Sequence, residues 1–111
     1  MERDVNTYLF DVVENCKLIV GFVRGLDYAA YEDDELVKSA VERRFINIGE
    51  ALNRLKQTDP ELFGKISDAH RIVGFRNVLV HGYESISDRL VWGIIEENLH
   101  ELKVSCEKLL N

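Results

Sequence analysis

Chemically capable side chains are concentrated in one short stretch of the sequence, RNVLVHGY, at residues 76–83. It places Arg76 and His81 five residues apart around an apolar centre. Arginine carries a permanent positive charge and forks onto phosphate oxygens, and histidine can hold and release a proton near neutral pH. These two side chains are sufficient to cleave RNA without a metal site, because RNA supplies its own 2′-hydroxyl as the nucleophile.

The spacing of these residues predicts their places on a helix. Gly82 is expected to end the helix in the left-handed conformation, which puts His81 in the last turn, where carbonyl groups stabilise imidazolium. Asn77 lies four residues before His81 and is expected to hydrogen-bond to its ring and orient it. Arg76 lies about 140° from His81 around an ideal helix, but its long side chain can reach forward or reach a partner subunit. One histidine cannot easily be base and acid at once, so a symmetric homodimer would supply the second.

A purely structural interpretation of the same residues stays open. A histidine at a helix end is commonly a C-terminal cap, an arginine commonly pairs with a carboxylate, and short motifs match by chance. His70 and His100 have no ligand-like spacing to His81, so we expect no metal and no cofactor.

Long amphipathic segments must position these residues. The first has apolar residues that step alternately by four and three, a heptad seam that can serve either a bundle or a dimer partner. Gly25 and the DYAAYEDD stretch are expected to end this helix. The seam consists of Val5, Leu9, Val12, Cys16, Ile19, Val23 and Leu26, and Tyr8, Val13 and Val20 widen it.

A second helix is expected over residues 34–57. Opposite its apolar face it carries a polar stripe of Arg43, Asn47, Glu50 and Arg54. The stripe favours a solvated face with pairs along the helix, and the alternative is one wall of a polar cleft. Gly49 costs helix propensity, which indicates a close helix crossing.

The remaining sequence predicts three more helices and no strand. In TDPE, either Thr58 and Glu61 form a capping box or Asp59 caps with Pro60 in the first turn, and a short helix follows. A longer helix begins near Ser67, and the last is expected to run unbroken from residues 87–88 to 109. We therefore predict an all-α, up-and-down helical bundle with a short extra helix, forming one domain over residues 1–111.

Charge and cysteine usage narrow the class of protein. The formal net charge is −6, but residues 43–76 carry seven Lys or Arg against four Asp or Glu, whereas the remainder carries seven against sixteen. A basic middle in an acidic chain can form a local anion site or only reflect solvated helix faces. Cys16 and Cys106 lie among apolar residues, as expected of reduced core thiols in a cytoplasmic protein. No stretch resembles a signal peptide or a membrane span.

Beyond these patterns, RNVLVHGY resembles the Arg-x4-His-x-Tyr signature of HepT-like toxins in the HEPN superfamily. AVERRFINIGEAL is similar to the second helix of that family, and RIVGFRNVLVHGY followed by VWGIIEENLHEL is similar to its C-terminal half. The resemblance implies a HEPN-like homodimer and a metal-independent endoribonuclease that cleaves RNA and spares DNA. In that case Arg76 and His81 are catalytic, and Asn77 supports them.

The resemblance also implies a toxin–antitoxin pair. The partner would be an MntA-like nucleotidyltransferase antitoxin that silences the toxin by transferring AMP to Tyr83. Two other functions stay open. The chain can be a non-catalytic helical partner or substrate-binding module of such a nucleotidyltransferase, or a plain dimerisation domain without a site. An assay for ribonuclease activity separates these possibilities.

Overall fold

The computed structural model describes residues 4–82 and 86–110, and these residues form seven helices and no strand. The predicted all-α bundle is therefore confirmed. None of the described helices is long and apolar enough to cross a membrane. The helices are α1 (Val5–Val23), α2 (Tyr28–Asp33), α3 (Glu35–Thr58), α4 (Pro60–Phe63), α5 (Ala69–His81), α6 (Asp88–Glu97) and α7 (Leu99–Leu109).

The core lies around α3, which packs against α1 and against α5, while α1 also packs against α7. The heptad seam of α1 serves this core, because its central residues have no exposed surface within the single chain. Val20, which the sequence placed on the same stripe, is instead 43% exposed, so that prediction is wrong. The fully buried seam residues are Leu9, Val12, Cys16 and Ile19.

Local capping explains where the shorter helices begin. The side chain of Asp59 accepts a hydrogen bond from the backbone N–H of Leu62 at 3.1 Å, with Pro60 in the first turn of α4. Of the two predicted arrangements for TDPE, the structure therefore has the second. Ser87 caps α6 in the same way, since its hydroxyl accepts from the N–H of Leu90 at 3.3 Å. Each cap satisfies an N–H that has no partner inside its helix.

The DYAAYEDD stretch contains a helix that the sequence did not predict. Asp27 caps α2 by accepting from the N–H of Ala30 at 2.9 Å. Tyr31 then packs into the core with no exposed surface, and its ring centroid lies 5.2 Å from that of Trp92 on α6. Tertiary burial of one aromatic residue thus holds a segment that is too short to be a stable helix alone.

The last predicted helix is not continuous, because Asn98 separates α6 from α7. Asn98 is only 6% exposed, and its Nδ2 donates a hydrogen bond to Asp68 Oδ2 at 2.7 Å. Asp68 has a left-handed φ of 62° immediately before α5, which begins at Ala69 rather than near Ser67. Buried amides are usually hydrogen-bonded, and here Nδ2 finds its partner thirty residues away, whereas Oδ1 of Asn98 has no hydrogen-bond partner in the described part of the chain.

Cys16 and Cys106 are free and fully buried, as predicted for core thiols. Burial raises the pKa of the Cys106 thiol from 9.0 to about 12, and it raises the pKa of Cys16 as well. Both side chains therefore stay protonated and pack as small apolar groups.

Candidate active site

The motif residues Arg76, Asn77 and His81 all lie on α5, which ends at His81 as predicted. The backbone N–H of Gly82 donates to the carbonyl of Val78 at 2.8 Å and closes the last turn. Gly82 has φ −120°, so the predicted left-handed conformation is wrong. The turn ends with an ordinary helical hydrogen bond, which needs no positive φ.

A close crossing of α3 and α5 fixes the root of Arg76. A Cβ atom at Gly49 would collide with the Cβ and Cγ atoms of Arg76, so the two helices meet here with no room for another side chain. Beside this point, the rings of Phe45 and Phe75 pack edge to face with centroids 5.2 Å apart. The predicted close crossing at Gly49 is confirmed, and it restricts the conformations open to Arg76.

Among the residues that the structure describes, the guanidinium of Arg76 has polar neighbours but no short ion pair. Its Nη1 donates to Asn77 Oδ1 at 2.9 Å, and its Nη2 lies 3.7 Å from Glu50 Oε1. The Arg76 side chain is 24% exposed, whereas that of Glu50 is 54% exposed and screened by water. Nε of Arg76 is buried and has no hydrogen-bond partner in the described part of the chain. Arg76 thus keeps a positive charge that an incoming anion can approach.

The structure brings Asn77 to Arg76 and not to His81. Asn77 Oδ1 accepts from the guanidinium, so the amide orients the arginine rather than the imidazole. His81 is exposed at the end of α5. Within residues 4–82 and 86–110 its ring takes part in no hydrogen bond or ion pair, so it is open to an external molecule.

Glu50 was not predicted as a site residue, although its place in the polar stripe of α3 was a usable signal. Its partner is Arg76 on α5, and the neighbouring stripe residue Asn47 donates to Asn15 Oδ1 on α1 at 3.5 Å. Among the described contacts, no hydrogen bond or ion pair joins two stripe residues to each other. Arg43, Glu50 and Arg54 are exposed, so the preferred interpretation of a solvated face is confirmed. The predicted pairs along the helix are wrong, because the described contacts of the stripe run to α1 and α5.

The other candidate residues are either uninvolved or not described. His70 packs edge-on against Phe63, with ring centroids 4.8 Å apart. In the part of the chain that the structure describes, no three His, Cys, Asp or Glu side chains are grouped so as to hold a metal ion. Tyr83 lies outside the described residues, and its role stays a prediction.

The sequence is similar to a known protein family over most of its length. Residues 12–109 match the model of the family described as "Ribonuclease HepT-like". The chain is 30% identical over 106 residues to "Putative RNase MJ1380" of Methanocaldococcus jannaschii, and the match covers 96% of each chain. It is 30% identical over 113 residues to "Probable ribonuclease HepT" of Thermococcus cleftensis, with 98% of each chain covered. No solved structure matches the chain.

Proposed function

Because this chain belongs to the HepT-like ribonuclease family, we propose that it is an endoribonuclease toxin that cleaves RNA through Arg76 and His81. The observation that carries the proposal is the setting of Arg76. Its root is fixed against Gly49, one Nη is oriented by Asn77, and the other lies 3.7 Å from the exposed carboxylate of Glu50. A preorganised and incompletely paired cation of this kind suits a developing negative charge on phosphorus.

The proposed reaction needs one proton acceptor and one proton donor. An imidazole removes the proton from the ribose 2′-hydroxyl, and the 2′-oxygen attacks the adjacent phosphorus. The bond to the 5′-oxygen breaks, and that oxygen leaves with a proton from a second imidazolium, so the products are a 2′,3′-cyclic phosphate and a 5′-hydroxyl. His81 supplies one of these groups, and His81 of a second copy in a homodimer supplies the other.

Glu50 takes part by holding Arg76 in the absence of RNA. Its carboxylate lies 3.7 Å from Nη2, which is longer than a short charge-assisted hydrogen bond. A phosphate can approach the guanidinium from the same side and displace the carboxylate, since more than half of the Glu50 side chain is in solvent. The arginine therefore exchanges a weak partner for a phosphate without being repositioned.

We further propose that modification of Tyr83 silences the ribonuclease activity. An MntA-like nucleotidyltransferase antitoxin would transfer AMP to Tyr83, two residues beyond His81. The tyrosine oxygen attacks the α-phosphorus of ATP, a phosphodiester bond forms, pyrophosphate leaves, and the phenolic proton is lost. The added phosphate would repel an RNA phosphate and occupy Arg76, by the same electrostatics as phosphorylation. The family resemblance and the complete motif support this role of Tyr83.

An assay with purified protein and labelled RNA tests the ribonuclease proposal. His81→Ala and Arg76→Ala should each lower the cleavage rate by ~10²–10⁴-fold, as expected for a lost acid–base group or transition-state cation. His100→Ala, which alters an exposed histidine on α7, should cleave like the wild type. Cleavage should persist in EDTA, leave a 2′,3′-cyclic phosphate and spare DNA. Full activity of His81→Ala would refute the mechanism, and an inactive wild type would favour a binding module.

A further inference from the structure

The proposed substrate raises an electrostatic problem. RNA is a polyanion, and the chain carries a net charge of −6. Protein–nucleic acid affinity depends largely on cationic side chains at the phosphates. Residues 43–76, which contain most of α3 and most of the motif helix, carry seven Lys or Arg against four Asp or Glu. This positive excess beside Arg76 makes the segment the place to look for an RNA path.

The polar stripe of α3 offers such a path next to Arg76. Arg43, Glu50 and Arg54 follow one another at steps of seven and four residues, which places them on one face of the helix. Arg43 and Arg54 are eleven residues apart, so they lie about 16 Å apart along the helix axis, at 1.5 Å per residue. Because Glu50 lies between them and contacts Arg76, the guanidinium of Arg76 sits beside the middle of this row.

Both outer arginines are exposed. Neither Arg43 nor Arg54 forms an ion pair with any residue that the structure describes. Lys38 shows the contrasting case, since its ammonium lies 3.0 Å from Glu35 and 3.1 Å from Asp88. The arginines of the stripe thus retain a positive charge that points away from the core of the bundle.

We propose that Arg43 and Arg54 bind the backbone phosphates of single-stranded RNA on either side of the phosphate held at Arg76. The proposal rests on the proposed ribonuclease function and extends it from one phosphate to a short track along α3. Arginine forks onto phosphate oxygens, and the stripe carries no aromatic side chain on which a base can stack. The track therefore fixes the position of the RNA backbone and carries little sequence preference.

The binding test uses a fluorescein-labelled single-stranded RNA oligonucleotide and the His81→Ala protein, which holds RNA without cutting it. Fluorescence anisotropy gives Kd over a range of salt concentrations. Arg43→Ala/Arg54→Ala should weaken binding roughly tenfold at 0.15 M salt, and the slope of log Kd against log salt should fall by about 1.4, at ~0.7 per lost phosphate contact.

Two further variants separate the track from general charge and from folding. Lys65→Ala/Lys108→Ala changes the net charge equally, at exposed positions outside α3, and should leave most of the affinity and the salt slope intact. Arg43→Lys/Arg54→Lys keeps both charges and should retain most of the salt slope. The proposed phosphate contacts would be refuted if Arg43→Ala/Arg54→Ala bound RNA as tightly as its parent. They would also be refuted if Lys65→Ala/Lys108→Ala weakened binding as much as the α3 alanine pair does.

Cleavage is measured separately on proteins that retain His81. If the protein binds RNA through Arg43 and Arg54 but never cuts it, the ribonuclease proposal fails and the track stands. If the wild-type protein cuts RNA, but Arg43→Ala/Arg54→Ala leaves both KM and Kd unchanged, the phosphate contacts on α3 are refuted and the ribonuclease proposal stands.

Discussion

Gly49 of α3 lies directly against the side chain of Arg76 on α5, and a methyl group at Gly49 would collide with the Cβ and Cγ atoms of that arginine. These atoms belong to the root of the side chain and cannot swing aside as the tip of a flexible chain can. The crossing therefore sets where the guanidinium emerges. A glycine in the interior of a helix costs about 1 kcal/mol of stability relative to alanine. Here the glycine leaves the space that the side chain of Arg76 occupies.

We predict that Gly49→Ala lowers ribonuclease activity far more than it lowers stability. Overpacking should cost about 1–3 kcal/mol of unfolding free energy, partly offset by about 1 kcal/mol of better helix propensity. Displacing Arg76 by an ångström can cost about 10²-fold in rate. Urea unfolding and the RNA cleavage rate, measured where the variant is fully folded, give the two quantities.

Gly74→Ala is the matched control on α5. A Cβ at Gly74 meets no atom within 4 Å, so this variant should keep its activity and gain about 0.5–1 kcal/mol of stability. The positioning role of Gly49 would be refuted if Gly49→Ala cleaved RNA at the wild-type rate, or if its loss of activity matched its unfolded fraction.

The sequence predicted those features that depend on periodicity and local chemistry. The long helices, the caps at Asp59 and Ser87, and the crossing at Gly49 follow from apolar spacing, short polar side chains and an unfavourable glycine. The break at Asn98 was not predicted; its side chain is bonded to Asp68, and periodicity does not show a contact thirty residues away.

In the candidate site, too, the residues were predicted from local spacing, whereas their contacts were not. The sequence identified Arg76 and Asn77 but assigned the amide of Asn77 to His81, because four-residue spacing brings those two residues to one face of a helix. The amide oxygen instead accepts from the guanidinium of the neighbouring Arg76. Glu50 was found only once α3 and α5 were seen in contact, since helix periodicity does not show which face meets which neighbour.

A second prediction concerns assembly. If base and acid are the His81 residues of two protomers, a heterodimer of one wild-type and one His81→Ala chain should be inactive. Such heterodimers can be isolated with two different affinity tags, and their cleavage rate compared with that of doubly tagged wild-type dimers. Independent sites would instead leave about half the activity. Half activity, or light scattering that shows an active monomer, would contradict the shared site.

A third prediction follows from the buried thiols. Burial raises the pKa of Cys106 from 9.0 to about 12, so its protonated form favours the folded state. This contribution is fully present below pH 9 and is lost progressively as pH rises toward 12. At pH 10 the loss should be about 1 kcal/mol of unfolding free energy from Cys106 alone.

Urea unfolding at pH 8 and pH 10 measures this loss, and Cys106→Ala is the control. The variant should be less stable at both pH values, because it leaves a small cavity, but its stability should fall less between them. Other groups that titrate in this range are common to both proteins and largely cancel in the comparison, although Cys106 also helps to raise the pKa of Cys16. An equal fall in both proteins would show that Cys106 does not titrate as its burial requires.

The last prediction concerns silencing at Tyr83. When an MntA-like nucleotidyltransferase and ATP are supplied, the mass of the protein should rise by one or more AMP units, and ribonuclease activity should fall as modification rises. The new phosphodiester charge would lie two residues from His81, where it can compete with RNA for Arg76. Tyr83→Phe should fold, remain toxic and escape the partner, whereas Tyr28→Phe should be modified and silenced like the wild type. AMP found only at another residue, or a Tyr83→Phe protein that is silenced as readily as the wild type, would exclude Tyr83 as the regulatory site.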